Sequence, residues 1–178
     1  MRYFLLLLLP FFFATSCSDD EELSPVDQLP PATQTGENVF ACLVDGEAWI
    51  NTPNSFGFHN RISAGYYNSR VECRALKKLG DDPNSSTESS FGIRISPAII
   101  GEATLDTLSI RYSKKRRDNT IFYYCVPSAS SISITKLTNY SDNRQDIVAG
   151  SFEGVMVNTA LNDTIIVSEG RFDVILYY

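Results

Sequence analysis

His59 is the only histidine of the chain, and a nucleophilic triad needs a base beside its serine, threonine or cysteine. It lies in Phe56-Gly57-Phe58-His59-Asn60, a glycine-containing aromatic loop. There it reads as a general base, as a binding-loop residue or as an ordinary surface residue. No GxSxG, HExxH or phosphate-cradling glycine loop accompanies it. Glycoside hydrolysis asks for two carboxylates across a cleft, and Glu153, Glu169 and Asp173 are the candidates. Glu169, Arg171 and Asp173 follow at i, i+2 and i+4, which in a strand puts them on one solvent face. A guanidinium between two carboxylates favours their ionised form, whereas hydrolysis needs one of them protonated. The expected reading is not an enzyme.

Binding chemistry has more candidates. Leaving out Cys17, the cysteines are Cys42, Cys73 and Cys125, with long gaps and no CxxC pair. Zinc is not expected, at most one disulfide can form, and buried ordinary thiols are the simplest state. Asp81-Asp82-Pro83-Asn84 with Glu88 offers oxygen ligands, but at no calcium-loop spacing, so neither metal nor cofactor is expected. Lys114-Lys115-Arg116-Arg117 reads as an exposed hairpin tip, either solvated or aimed at an anionic partner such as an acidic glycan or lipid headgroup. The doublets Tyr66-Tyr67, Tyr123-Tyr124 and Tyr177-Tyr178 send one ring to each side of a strand. With Trp49 they offer sugar-stacking or protein-contact surface, unless a second layer covers the outer rings. Trp49, His59, Tyr66 and Tyr67 form the candidate binding surface.

The elements that would carry these residues are strands. Val39–Val44 and Glu47–Ile50 flank the hairpin signal Asp45-Gly46. Ile62–Tyr67 and Val71–Leu76 pair around Asn68-Ser69, and Val71, Cys73 and Ala75 alternate with Arg70, Glu72 and Arg74. Residues 80–90 read as a loop, and Phe91, Ile93 and Ile95 alternate with Gly92, Arg94 and Ser96. Leu108, Ile110 and Tyr112 oppose Ser109 and Arg111, residues 113–119 turn, and Thr120–Val126 is strongly β-prone. Residues 131–137, 148–156, 165–167 and 172–176 complete the set, with Gly170 as a bulge or face switch. Residues 97–104 could hold a single helical turn. Many short strands joined by Gly/Asn/Asp turns indicate an all-β antiparallel β-sandwich, with a partly closed β-barrel as the alternative.

The N-terminus reads as an address. Met1-Arg2 is positive, Tyr3–Phe13 is apolar apart from Pro10, and Ala14-Thr15-Ser16 are small, as in a secretory signal peptide too short to span a membrane. Cys17 at its exit resembles the lipobox cysteine of bacterial lipoproteins, though Ala14 stands where that motif prefers Leu. Ser18-Asp19-Asp20-Glu21-Glu22 resembles the export signal of Bacteroidetes surface lipoproteins. One acyl chain binds a membrane only reversibly at about 0.8 kcal/mol per methylene, so stable anchoring takes two or more. The resemblance implies a palmitate-type lipid anchor on Cys17. Leu23–Glu37, rich in Pro, Gln and Thr, then reads as a linker. Loss of residues 1–16 turns the 15 basic and 21 acidic side chains into 14 and 21, a charge of −7. Such a balance repels phosphate backbones, so nucleic acid is not an expected partner.

Two segments carry a family likeness. Leu29-Pro30-Pro31-Ala32-Thr33-Gln34-Thr35-Gly36-Glu37 leads into a hairpin containing Phe40 and Cys42 and ending in Trp49. Gly150-Ser151-Phe152-Glu153-Gly154 and Glu169-Gly170-Arg171-Phe172-Asp173 form the closing segments. Together they resemble a Bacteroidetes lipoprotein family of unknown function, which implies lipidation and an all-β domain and supplies no functional residues. Asp106-Thr107-Leu108 and Asp163-Thr164-Ile165 resemble the Asp-Thr-aliphatic acceptors of O-glycosylation in that phylum, at Thr107 and Thr164.

The expected organisation is a signal peptide over 1–16, a lipidated cysteine with export-like signal and linker over 17–37, and one all-β domain over 38–178. The expected protein is lipid-anchored in the outer membrane and exposed at the cell surface. Its non-catalytic domain would bind a glycan or envelope protein, or serve a structural role. A lipocalin-like carrier of a small apolar ligand is the alternative, and a carbohydrate-active hydrolase a more distant one.

Overall fold

Period-two alternation with one apolar face forces strands to bury that face against one another. The computed structural model describes residues 23–51, 62–78, 88–106, 109–116, 119–138 and 146–177. Its strands are β1 (Val39–Val44), β2 (Glu47–Ile50), β3 (Ile62–Tyr67), β4 (Arg70–Lys78), β5 (Glu88–Ile95), β6 (Gly101–Glu102), β7 (Ile110–Arg116), β8 (Asn119–Leu137), β9 (Ile147–Asn158) and β10 (Asp163–Tyr177). The all-β antiparallel architecture is therefore as expected. Among the described residues pairing is antiparallel apart from a short parallel contact, Leu176↔Ala64 and Tyr177↔Gly65.

The ladder runs β10–β3–β4–β5–β7–β8–β9 and returns from β9 to β10, so one sheet folds over onto itself. β1 shares an edge of β10 with β3, and β2 hangs on β1. Both a sandwich and a partly closed barrel are compatible with this arrangement.

Phe40 on β1 meets Phe91 on β5 and Phe152 on β9, at centroid distances of 5.5 and 4.9 Å. Trp49 packs edge-on against Phe91 at 4.8 Å, and Tyr112 lies 4.7 Å from Phe91. Rings thus fill the space where the two sides of the sheet face each other. Each such buried side chain contributes about 1.5–3 kcal/mol relative to exposure. Gly150 admits a close approach, because a Cβ there would collide with the Ser133 carbonyl and the Phe172 ring.

Several boundaries differ from the sequence reading. β5 starts at Glu88, inside the expected loop. Residues 113–116 and Asn119 are strand rather than turn, because β7 continues to Arg116 and β8 begins at Asn119, while 117 and 118 lie outside the described residues. β8 is one strand whose register shifts between Cys125 and Ser130, around Pro127, where two strands were expected. Residues 97–104 hold the two-residue β6 in place of a helical turn. The irregularity expected at Gly170 is present as a register shift between Val167 and Gly170.

The larger correction concerns the linker and Asp173. Asp173 is 1% exposed, not on a solvent face. It shares an outward side with Arg171 and Ile175, but residues 33–37 lie across that side as a strap. The Asp173 carboxylate accepts hydrogen bonds from Thr33 Oγ1 at 2.7 Å and from the backbone N–H groups of Thr35, Gly36 and Glu37 at 3.0, 2.9 and 3.1 Å. Arg171 donates to the Pro30 carbonyl, Lys136 donates to the Gln34 carbonyl, and Leu29 is buried. Gly36 takes φ +82°, and a Cβ there would press on Ile175 at 3.0 Å. The Pro/Thr composition suggested a free tether, yet one carboxylate satisfies successive backbone donors and holds this segment to the sheet.

Candidate functional site

The wet faces of β3, β4, β5, β7 and β8 join into one surface. Register places Gly65, Glu72 and Arg94 in one cross-strand row. The next row is Ser63, Arg74, Gly92, Arg111 and Tyr124, and beyond it lie Lys78, Glu88 and Lys115. Arg70 stands opposite Tyr67 at the end of β4. Cations therefore outnumber carboxylates on this face, although the chain as a whole carries −6.

The centre of the face is a concavity of about 750 Å³ lined by Tyr67, Tyr177, Arg74, Arg94, Arg111 and Glu72, with Gly65 and Gly92 in its floor. Arg94 Nε pairs with Glu72 at 2.9 Å and Arg70 approaches the same oxygen at 3.7 Å, so that carboxylate is already engaged. Among the described residues Arg74 and Arg111 make no ion pair. The Arg111 guanidinium sits 5.5 Å from the Phe122 ring centroid, and Phe122 stacks near Tyr124 at 6.5 Å. Cation–π contact holds a guanidinium in place without neutralising it. Rings on both flanks and cations between them can stack and orient a chain-like polar ligand.

A second, smaller concavity of about 540 Å³ lies on the outer face of β8, β9 and β10. Ser131, Ser133, Ser151, Glu102, Glu153 and Glu169 line it, beside Thr33 and Gln34 of the strap. Glu153 and Glu169 are exposed here, and Glu169 pairs with Arg171 at 3.3 Å. Asp173, the third carboxylate considered for hydrolysis, is committed to the strap. Among the described residues no group of three or more His, Cys, Asp or Glu side chains could hold a metal ion.

The structure separates the residues expected to form one binding surface. Trp49 is 4% exposed and belongs to the core, its Nε1–H donating to Ser89 Oγ at 2.8 Å. A large ring on the inner side of an alternating strand is worth more buried than displayed. Tyr66 is partly buried and packs on the core while still lining the concavity beside Tyr67, which is 61% exposed. Cys17, the segment Ser18, Asp19, Asp20, Glu21 and Glu22, His59 and Thr107 all lie outside the described residues. Thr164 is exposed on β10. Lys114 and Lys115 lie on opposite faces of β7 rather than at a tip, and the Lys114 ammonium is 5.9 Å from the Tyr112 ring. Cys42, Cys73 and Cys125 are buried and unbridged, and burial pushes the Cys73 thiol up to about 12.

Arg74, Arg94 and Arg111 were not among the expected site residues, whereas Tyr177 was expected only as one ring of an aromatic doublet. Each arginine was readable as the polar member of an alternating strand. Their convergence depends on the β4–β5–β7 register, which no single strand carries. No family model, curated protein or solved structure matches this chain.

Proposed function

We propose that the protein is a lipoprotein of the outer membrane, anchored through Cys17 and exposed at the cell surface, whose β-domain is a non-catalytic recognition module for polysaccharide. The observation that carries the recognition reading is the concave outer face of β3, β4, β5 and β7, with Tyr67 and Tyr177 as walls, arginines at its centre and glycines in its floor. The filled ring core around Phe40 and Phe91 speaks against an internal apolar ligand. The signal-like N-terminus and the likeness to a Bacteroidetes lipoprotein family support the anchor.

A glycan array probed with the full chain tests recognition. Saturable binding is expected, falling by about tenfold or more in Tyr67→Ala and in Tyr177→Ala, since aromatic stacking carries much of such an interface. Wild-type silence across the array, or binding indifferent to both substitutions, would contradict it.

A further inference from the structure

We propose that the polysaccharide taken by this face is an acidic one, and that Arg74 and Arg111, flanking Gly92, hold its carboxylates. The inference rests on reading the face as glycan-binding and adds the charge of the ligand. Arg74, Gly92 and Arg111 are register partners, so the two arginines stand two strand spacings apart, about 10 Å at the backbone. Between them the floor is open, because a Cβ on Gly92 would approach only the Arg111 Nη2, at 4.0 Å. Glu72 is held by Arg94 and Arg70 and leaves Arg74 and Arg111 uncompensated. A guanidinium presents a planar fork that matches a carboxylate in two parallel hydrogen bonds.

Overall charge narrows the partner. A basic face on a chain of net −6 attracts a slender polyanion locally. A nucleic acid or an anionic bilayer, extending past the face, meets the acidic remainder of the surface. A flexible acidic glycan fits within the concavity and can lay its rings on Tyr67 and Tyr177.

The full chain, in neutral detergent, is titrated calorimetrically with polygalacturonate, alginate and methyl-esterified polygalacturonate. A single-stranded oligonucleotide and anionic phospholipid vesicles are run in parallel. Expected are binding of the acidic chains, at least about tenfold weaker binding of the neutral ester, and loss of about tenfold in R74Q and in R111Q. Affinity should fall with added salt. Gly92→Leu should block the gap between the arginines, with all three variants keeping the wild-type urea transition. Equal binding of ester and acid, with R74Q and R111Q behaving as wild type while Tyr67→Ala weakens both, would overturn the acidic ligand and leave glycan recognition standing. Failure of every polysaccharide to bind would overturn both. Tighter binding of oligonucleotide or vesicles than of any glycan would assign the face to that partner instead.

Discussion

Asp173 shows how much one side chain can decide. Among the described residues its carboxylate has no cation partner, and it is satisfied by a hydroxyl and successive backbone N–H groups of the strap. Asp173→Ala leaves those donors without their acceptor and should cost about 2–4 kcal/mol in urea unfolding, with residues 33–37 becoming protease-sensitive. A wild-type midpoint and an uncut strap would show that the contact does not hold the segment. Buried thiols and phenols set the alkaline limit. Burial raises Cys73 from its ordinary 9.0 to about 12 and Tyr112 from 10.0 to about 12. Tyr123 rises to about 12 as well, first because its hydroxyl donates to Asp163 at 2.6 Å and then through burial. The unfolded chain gives up these protons at the ordinary values while the folded chain keeps them. The stability they contribute is thus complete below the ordinary pKa values and lost as pH rises from there toward 12. Urea midpoints should fall across that range, and thiol reagents should label Cys42, Cys73 and Cys125 only after unfolding.

Among the strands, the glycines divide by what surrounds them. Gly150 lies where β8, β9 and β10 press together, and Gly92 lies on an open face. Gly150→Ala should destabilise by about 3 kcal/mol or more, because the collision falls on backbone and a core ring, whereas Gly92→Ala should leave stability within about 0.5 kcal/mol. Equal midpoints for the two variants would contradict the packing described. Most strands were readable from alternation, as in Val71, Cys73 and Ala75 against Arg70, Glu72 and Arg74. What alternation could not show was which wet faces meet, since register is a property of strand pairs. Nor could it show that the strap covers the Asp173 side of β10, because that cover comes from residues more than a hundred positions away. Trp49 was misplaced for a related reason. Its strand, β2, is too short for alternation to distinguish the inner from the outer ring position.

Over the full surface, charge is unevenly spread. The β3–β7 side gathers arginines and lysines, and the β8–β10 side carries Glu102, Glu153 and Glu169 among serines. Such a dipolar surface steers an anionic chain to one side, an effect on association rate that fades with salt. The anchor is tested separately: Cys17→Ser should leave the chain in the soluble fraction, where the wild type sediments with membranes, and identical partition would contradict lipidation. The most direct test of the recognition face is a two-dimensional NMR titration of the isotope-labelled full chain with an oligogalacturonate. Shifts concentrated at Tyr67, Arg74, Gly92, Arg94 and Arg111 are expected. Shifts confined to the β8–β10 face, or none at saturating ligand, would contradict it.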